Sequence, residues 1–83
     1  MEIHPPPTPR VKRTIERAGR EATSRGHNHV GTEHLLLALL ADPEGVAGRV
    51  LRQLGVAELA AKRVEEVMAL PGYSQPPYGY MSE

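Results

Sequence analysis

The segment from Leu35 to Ala41 constrains the fold of this chain more than any other, because it is almost entirely leucine. It is far shorter than the roughly 20 apolar residues that a membrane-spanning helix requires, so we expect a helix buried in a small core. Thr32 is its expected N-cap, with Glu33 in the first turn, where a carboxylate interacts favourably with the positive helix end. Because Leu35 stands where a capping-box acid would stand, Thr32 alone should cap this central helix.

Composition narrows the choice of core and of compartment. The 83 residues contain no cysteine, which excludes a disulfide framework and a thiolate metal site, and this fits a reducing cytoplasm. Phenylalanine and tryptophan are absent, and all 3 tyrosines follow residue 72. The core should therefore consist of aliphatic side chains and methionine, which suits an all-α domain.

The first helix has clear start and stop signals. Thr8 is the expected N-cap and Pro9 the first helical residue, where a missing amide proton costs nothing. The helix should run from about Pro9 to Ser24 and end at a left-handed Gly26. Its apolar residues recur at helical spacing and should form the buried stripe: Val11, Ile15, Ala18 and Ala22.

Two further helices are predicted after the break at Asp42-Pro43. The third should span about Glu44 to Leu54 and close at Gly55, and the fourth should span about Ala57 to Leu70 and end at Pro71-Gly72. The residues expected to face inward are Val46, Val50, Leu51 and Leu54 on the third helix and Leu59, Ala60, Val64, Val67 and Met68 on the fourth.

Proline-rich and tyrosine-rich ends flank the predicted helices. We expect residues 1–7 to be disordered, residues 8–70 to form the helical domain and residues 71–83 to be a flexible tail. The N-terminus lacks a charged start followed by an apolar stretch, so an export signal is not expected and the predicted location is cytoplasmic.

His27, His29 and His34 raise the question of a metal site. No carboxylate is placed as an obvious fourth ligand, and histidines in polar connections commonly bond to backbone carbonyls, so we predict neither metal nor cofactor. Glu33 and His34 are not accompanied by a nucleophile and an orienting third group. We therefore predict a non-enzyme.

Two motifs stand at a characteristic spacing: Thr8-Pro9-Arg10 opening the first helix, and Gly26-His27-Asn28 followed by Gly31-Thr32-Glu33-His34-Leu35-Leu36 opening the second. With these motifs, residues 7–70 resemble the Clp N-terminal repeat, most closely that of ClpC-type unfoldases. The resemblance implies one four-helix repeat, half of the usual tandem pair. The chain contains no Gly-x-x-x-x-Gly-Lys-Ser/Thr loop, so ATPase activity is not expected.

The resemblance also implies a function and a site. Such modules collect protein substrates and adaptors for a Clp ATPase, and some recognise phosphorylated arginine or other small ligands. A single copy would act in trans as an adaptor or as a decoy in the regulation of proteolysis. The matching ligand-binding positions are Thr8, Pro9, Arg10, Lys12, Ile15, Glu16, Thr32 and Glu33. Pro7 departs from the aromatic residue that the family usually has before Thr-Pro.

Two further expectations concern partners. The surface that would face a second repeat should be exposed, so we expect weak homodimerisation. The alternative function is a small basic nucleic-acid-binding protein, because arginines crowd the first helix. Glu16 and Glu21 dilute that basic face, so nucleic acid is not the favoured partner.

Overall fold

A computed structural model describes residues 4–73, which form four α-helices: α1 (Pro9–Ser24), α2 (Thr32–Leu40), α3 (Val46–Gln53) and α4 (Ala57–Met68). Within residues 4–73 there is no strand, and the predicted all-α fold is confirmed. Within the same residues no helix is long and apolar enough to cross a membrane. The division of the chain at residues 7 and 70 stays a prediction, and residues 1–3 and 74–83 lie outside the described part.

Helix α1 begins and ends as predicted. The Thr8 side chain accepts a hydrogen bond from the Val11 amide at 3.1 Å, and Pro9 occupies the first turn. Gly26, with a φ of 74°, takes the left-handed conformation that stops the helix. Ala18 and Ala22 are buried, and their small side chains let α1 approach α2 closely.

The start of α2 corrects one prediction. Thr32 is the first helical residue and not the N-cap, which is Gly31 in an extended conformation. With Gly31 as the N-cap, His34 is the third helical residue. Its Nδ1 atom accepts a hydrogen bond from the Gly31 amide at 2.8 Å. An imidazole thus performs the task of the capping-box carboxylate, which the sequence analysis considered missing.

The core is smaller than the predicted one. Its centre is α2, where Leu37, Ala38 and Leu40 are buried, as expected for the central helix. Several residues predicted to face inward are instead exposed by more than a third: Val11, Ile15, Val46, Val50, Leu54 and Leu59. The helical periodicity placed these residues on common faces correctly, but residues 4–73 contain no fifth element that covers those faces.

Helix α3 packs closely against the C-terminal end of α2 and forms a hydrogen bond with it. Gly48 is buried so closely against it that an added Cβ would lie 2.2 Å from the Asp42 carbonyl oxygen. Arg52 Nη2 donates a hydrogen bond to the Leu40 carbonyl at 2.6 Å. A carbonyl group at the end of α2, where backbone carbonyls lack partners within the helix, thus accepts a hydrogen bond from a side chain of α3.

Candidate functional site

The predicted site residues lie at opposite ends of a hairpin formed by α1 and α2. Arg10, near the start of α1, binds Asp42, which directly follows α2 and its C-cap. At the other end, His27 follows α1 and contacts His34 in the first turn of α2. Since a helix rises about 1.5 Å per residue, the 16 residues of α1 separate the two ends by about 24 Å.

The first end, which we call the Arg10 end, carries four of the predicted residues, Thr8, Pro9, Arg10 and Lys12, and Ile15 and Glu16 follow at the middle of α1. The Arg10 Nη1 atom lies 2.8 Å and 2.6 Å from the two Asp42 carboxylate oxygens. These hydrogen bonds raise the pKa of Arg10 and lower the pKa of Asp42. Pro9 and Lys12 are exposed beside them.

Apolar and charged side chains alternate on the exposed face of α1. Val11 and Ile15, one turn apart, are 42% and 43% exposed, and Lys12 and Glu16 beside them are exposed as well. Val11 and Thr8 also line a groove of about 250 Å³ between α1 and α3. Exposed apolar side chains with charged side chains around them are typical of a surface that contacts protein.

The second end, which we call the Glu33 end, is more enclosed. The Glu33 side chain is 13% exposed, and its Oε2 atom accepts a hydrogen bond from the hydroxyl of Tyr73. His29 Nε2 lies 3.5 Å from the same oxygen. Thr32 is exposed beside this cluster. Of the predicted residues, then, the structure brings together Thr32 and Glu33 here and Thr8, Pro9, Arg10 and Lys12 at the Arg10 end. Ile15 and Glu16 lie between the two ends, and Glu16 lines a cavity with His27 and His29.

His34 is completely buried, and its contacts determine where its proton lies. Because Nδ1 accepts from the Gly31 amide, the neutral ring must carry its proton on Nε2, which donates to His27 Nδ1 at 2.8 Å. Burial lowers the pKa of His34, and neighbouring His27 and His29 act in the same direction against the opposing effect of Glu33. His34 is thus held neutral, and its hydrogen bonds link α2 to the connection, the segment of residues 25–31 between α1 and α2.

The Glu33 end contains the carboxylate that the sequence analysis did not find near the histidines. One ligand atom from each of His29, Glu33 and His34 lies within 4.8 Å of the others. Both nitrogens of His34 are already engaged, however, and metal binding at Nε2 would move its proton to Nδ1, against the Gly31 amide proton. The cluster therefore fits a hydrogen-bonded polar site and not a metal centre.

Sequence reasoning missed Tyr73. It belongs to the segment predicted to be a flexible tail, yet it is 7% exposed and its ring lies 5.1 Å from that of His27, between centroids. The signal was present in a weak form, since a tyrosine directly after a proline-glycine helix stop can fold back onto the preceding helices. The expectation of a purely aliphatic core is corrected accordingly.

Comparison with known proteins identifies the family. The family model of the Clp repeat (R) N-terminal domain matches residues 3–76. The chloroplastic chaperone protein ClpC of Pisum sativum is 58% identical over 55 residues, which are 66% of this chain and 6% of that protein.

Two other relatives match more of the chain. A ClpA homolog from Porphyra purpurea, an ATP-binding subunit of an ATP-dependent Clp protease, is 48% identical over 70 residues, 84% of this chain and 8% of that protein. The negative regulator of genetic competence ClpC/MecB of Bacillus subtilis is 47% identical over 68 residues, 82% of this chain and 8% of that protein. The chain thus spans 6 to 8% of the length of these relatives. No solved structure gave a significant match.

Domains of this family are non-catalytic modules that bind substrates and adaptors for Clp ATPases. The match covers nearly all of the sequence, and the four helices of the structure agree with it. The chain therefore belongs to the Clp repeat (R) N-terminal domain family, as the two helix-opening motifs predicted.

Proposed function

We propose that this chain is a protein-binding module that recognises substrates or adaptors of a Clp ATPase, with Glu33 as the residue that binds a guanidinium group of the ligand. The observation that carries the proposal is the position of the Glu33 carboxylate, nearly enclosed at a helix start and bonded to a neutral hydroxyl donor. A guanidinium donates two parallel hydrogen bonds to a carboxylate, and this charged pair is stronger than a hydroxyl contact. An arginine or phosphoarginine side chain is therefore a suitable ligand.

The geometry also restricts how such a ligand would bind. Thr8, Pro9, Arg10 and Lys12 lie about 18 Å or more along α1 from the end that carries Glu33, so a single phosphoarginine side chain cannot contact both ends of one chain. We assign the two ends separate parts in recognition. Glu33 takes the side chain, and the face of Val11, Lys12, Ile15 and Glu16 contacts the surrounding protein surface.

The experiment is a calorimetric titration with a peptide that contains one phosphoarginine, compared with its arginine and phosphoserine counterparts. Glu33→Gln, which keeps the size of the side chain and removes its charge, should weaken binding of both guanidinium peptides by about tenfold or more. Glu58→Gln, which changes an exposed carboxylate on α4 outside both assigned surfaces, is the matched control for lost charge. Equal affinity of wild type and Glu33→Gln would reject Glu33 as the binding residue.

Homodimerisation belongs to the same proposal. Val46, Leu54 and Leu59 are 75%, 68% and 66% exposed, and a second copy that covers them would remove apolar surface from water. Sedimentation equilibrium should reveal weak dimers whose population rises with concentration. A monomer at several hundred micromolar would remove this part of the proposal. Action in trans as an adaptor or a decoy, and a cytoplasmic location, also remain predictions.

Nucleic-acid binding is the second candidate, and one observation favours it. Arg10, Arg13, Arg17 and Arg20 line one side of a cleft of about 230 Å³ against α2. The net charge of the chain is zero, however, so the long-range attraction to a polyanion is weak. Tight binding of duplex DNA at 150 mM salt, with an affinity that falls steeply as salt rises, would favour this candidate over the protein-binding one.

A further inference from the structure

Tyr73 forms a hydrogen bond with Glu33, the residue to whose carboxylate we assign ligand binding. Its hydroxyl donates to Glu33 Oε2 and lies 3.5 Å from His29 Nε2. The ring packs against two imidazoles of the segment between α1 and α2, with centroids 5.1 Å from His27 and 6.0 Å from His29. A ligand that approaches Glu33 therefore meets a residue of the same chain already bound there.

The backbone hydrogen bond of Tyr73 is local to the turn that follows α4. Helix α4 ends at Met68, and the following turn contains Gly72 with a φ of 84°. The Tyr73 amide donates to the Leu70 carbonyl within this turn, while Leu70 itself is 42% exposed. Because Tyr73 lies beyond the end of α4, the release of its side chain requires no break in any of the four helices.

We propose that Tyr73 is an intramolecular competitor for the Glu33 carboxylate, so that a guanidinium ligand binds by displacing the tyrosine hydroxyl. This inference rests on the proposed function and names the regulation of its site. The apparent association constant of the ligand equals the intrinsic constant multiplied by the fraction of molecules in which Tyr73 does not occupy the binding position at Glu33. Any event that holds the 70–73 turn away from the connection would then strengthen ligand binding without touching Glu33.

The chemistry of the three groups agrees with such competition. A hydroxyl offers one proton to Glu33, whereas a guanidinium offers two in a fixed planar fork and adds a full positive charge. The exchange therefore favours the ligand once it is present. In its absence, the tyrosine keeps a nearly buried carboxylate hydrogen-bonded, which avoids the cost of an unsatisfied buried acceptor.

The test measures binding of the phosphoarginine peptide to wild type, Tyr73→Phe and Tyr73→Ala. Tyr73→Phe removes the competing hydroxyl and keeps the ring, and a hydrogen bond to a charged group is worth roughly ten- to hundredfold in an equilibrium constant, so we expect the peptide to bind about tenfold more tightly. Tyr73→Ala should show at least the same gain. Circular dichroism checks that each variant retains the helical fold.

The outcomes separate this inference from the function on which it rests. Binding by wild type with the same or weaker affinity in Tyr73→Phe would overturn the competition and leave the proposed function standing. No binding by wild type or by either tyrosine variant would overturn both. As a second readout, the peptide should shift the NMR resonances of the Tyr73 ring toward the values of an exposed tyrosine, and an unmoved ring in a peptide-bound protein would contradict displacement.

Discussion

Each end of the α1–α2 hairpin is held by polar contacts, and these contacts differ in their exposure to solvent. At the Arg10 end, an ion pair with side chains 43% and 26% exposed links Arg10 to Asp42. At the Glu33 end, a buried imidazole links the connection to α2, and a tyrosine from beyond α4 covers the neighbouring carboxylate. One end is open to water and to salt, whereas the other is largely closed to both.

The difference teaches where structure and function can share residues. An exposed ion pair contributes little to stability and can be exchanged for contacts with a partner at small cost. A buried, fully bonded histidine contributes much more, because its removal leaves a donor without an acceptor. At the Glu33 end these roles are divided, since His34 holds the fold while Glu33 and Tyr73 form a contact that a ligand can replace.

The largest effect is expected from His34→Ala. The substitution opens a cavity in the core and leaves the Gly31 amide without its acceptor, so the free energy of unfolding should fall by about 3 kcal/mol. Urea denaturation measures this loss. His34→Asn keeps a short acceptor at the same place and should recover part of the stability. An alanine variant as stable as wild type would show that the buried imidazole does not hold this end.

Gly48→Ala tests the packing of α3 at the Arg10 end. A methyl group there would overlap the Asp42 carbonyl oxygen at 2.2 Å, so we expect a loss of about 1 to 3 kcal/mol. Gly19→Ala is the matched control, because no atom lies within 4 Å of its added Cβ and alanine is the better helix former. It should raise the free energy of unfolding by up to about 1 kcal/mol. Equal effects of the two substitutions would contradict the close approach of α3.

The pH dependence of stability should distinguish the two ends. The pKa of His34 is lowered by burial, so below the ordinary histidine value of 6.5 the unfolded chain binds a proton that the folded chain excludes. Stability should therefore fall as the pH falls below about 6.5, with a limiting slope of about 1.4 kcal/mol per pH unit for this group. Urea midpoints between pH 8 and pH 5 measure it, and His34→Asn should have a shallower profile. Parallel profiles for both proteins would contradict the account of His34.

The smallest effect is expected from Arg10→Ala. The lost ion pair is partly exposed to water and salt, so the urea midpoint should shift slightly, and less in 1 M NaCl than in 50 mM NaCl. The pKa of Asp42 is lowered by Arg10, so the pair stabilises the fold above about pH 4 and this contribution is lost as the pH falls further. Lys62→Ala, on the exposed surface of α4, is the control. A loss as large as that of His34→Ala would contradict the comparison.

Much of the fold could be predicted from local signals. Thr8-Pro9 and Gly26 determine the ends of α1 because capping and left-handed turns depend on residues close in sequence. The leucine-rich segment, which leaves little polar face, likewise identified α2 as the central helix. The N-cap of α2 was placed one residue late, because an imidazole in the capping-box role is chemically unusual.

The site was less predictable because its decisive contact is distant in sequence. Tyr73 and Glu33 are 40 residues apart, and no periodic pattern links a turn after α4 with the start of α2. Periodicity also identified apolar faces on α3 without revealing whether another element covers them, and Val46 is 75% exposed. Local propensity thus predicts helices, while burial and site geometry depend on how the helices pack.

The most direct test of the central claim is an NMR titration of the ¹⁵N-labelled protein with the phosphoarginine peptide. If Glu33 receives the ligand, the amide resonances of residues 27–34 and of Tyr73 should shift together in proportion to saturation, and in Glu33→Gln the same shifts should require about tenfold more peptide or more. Shifts confined to α3 and α4, or the same shifts at the same peptide concentrations in Glu33→Gln, would contradict the assignment of the ligand to the Glu33 end.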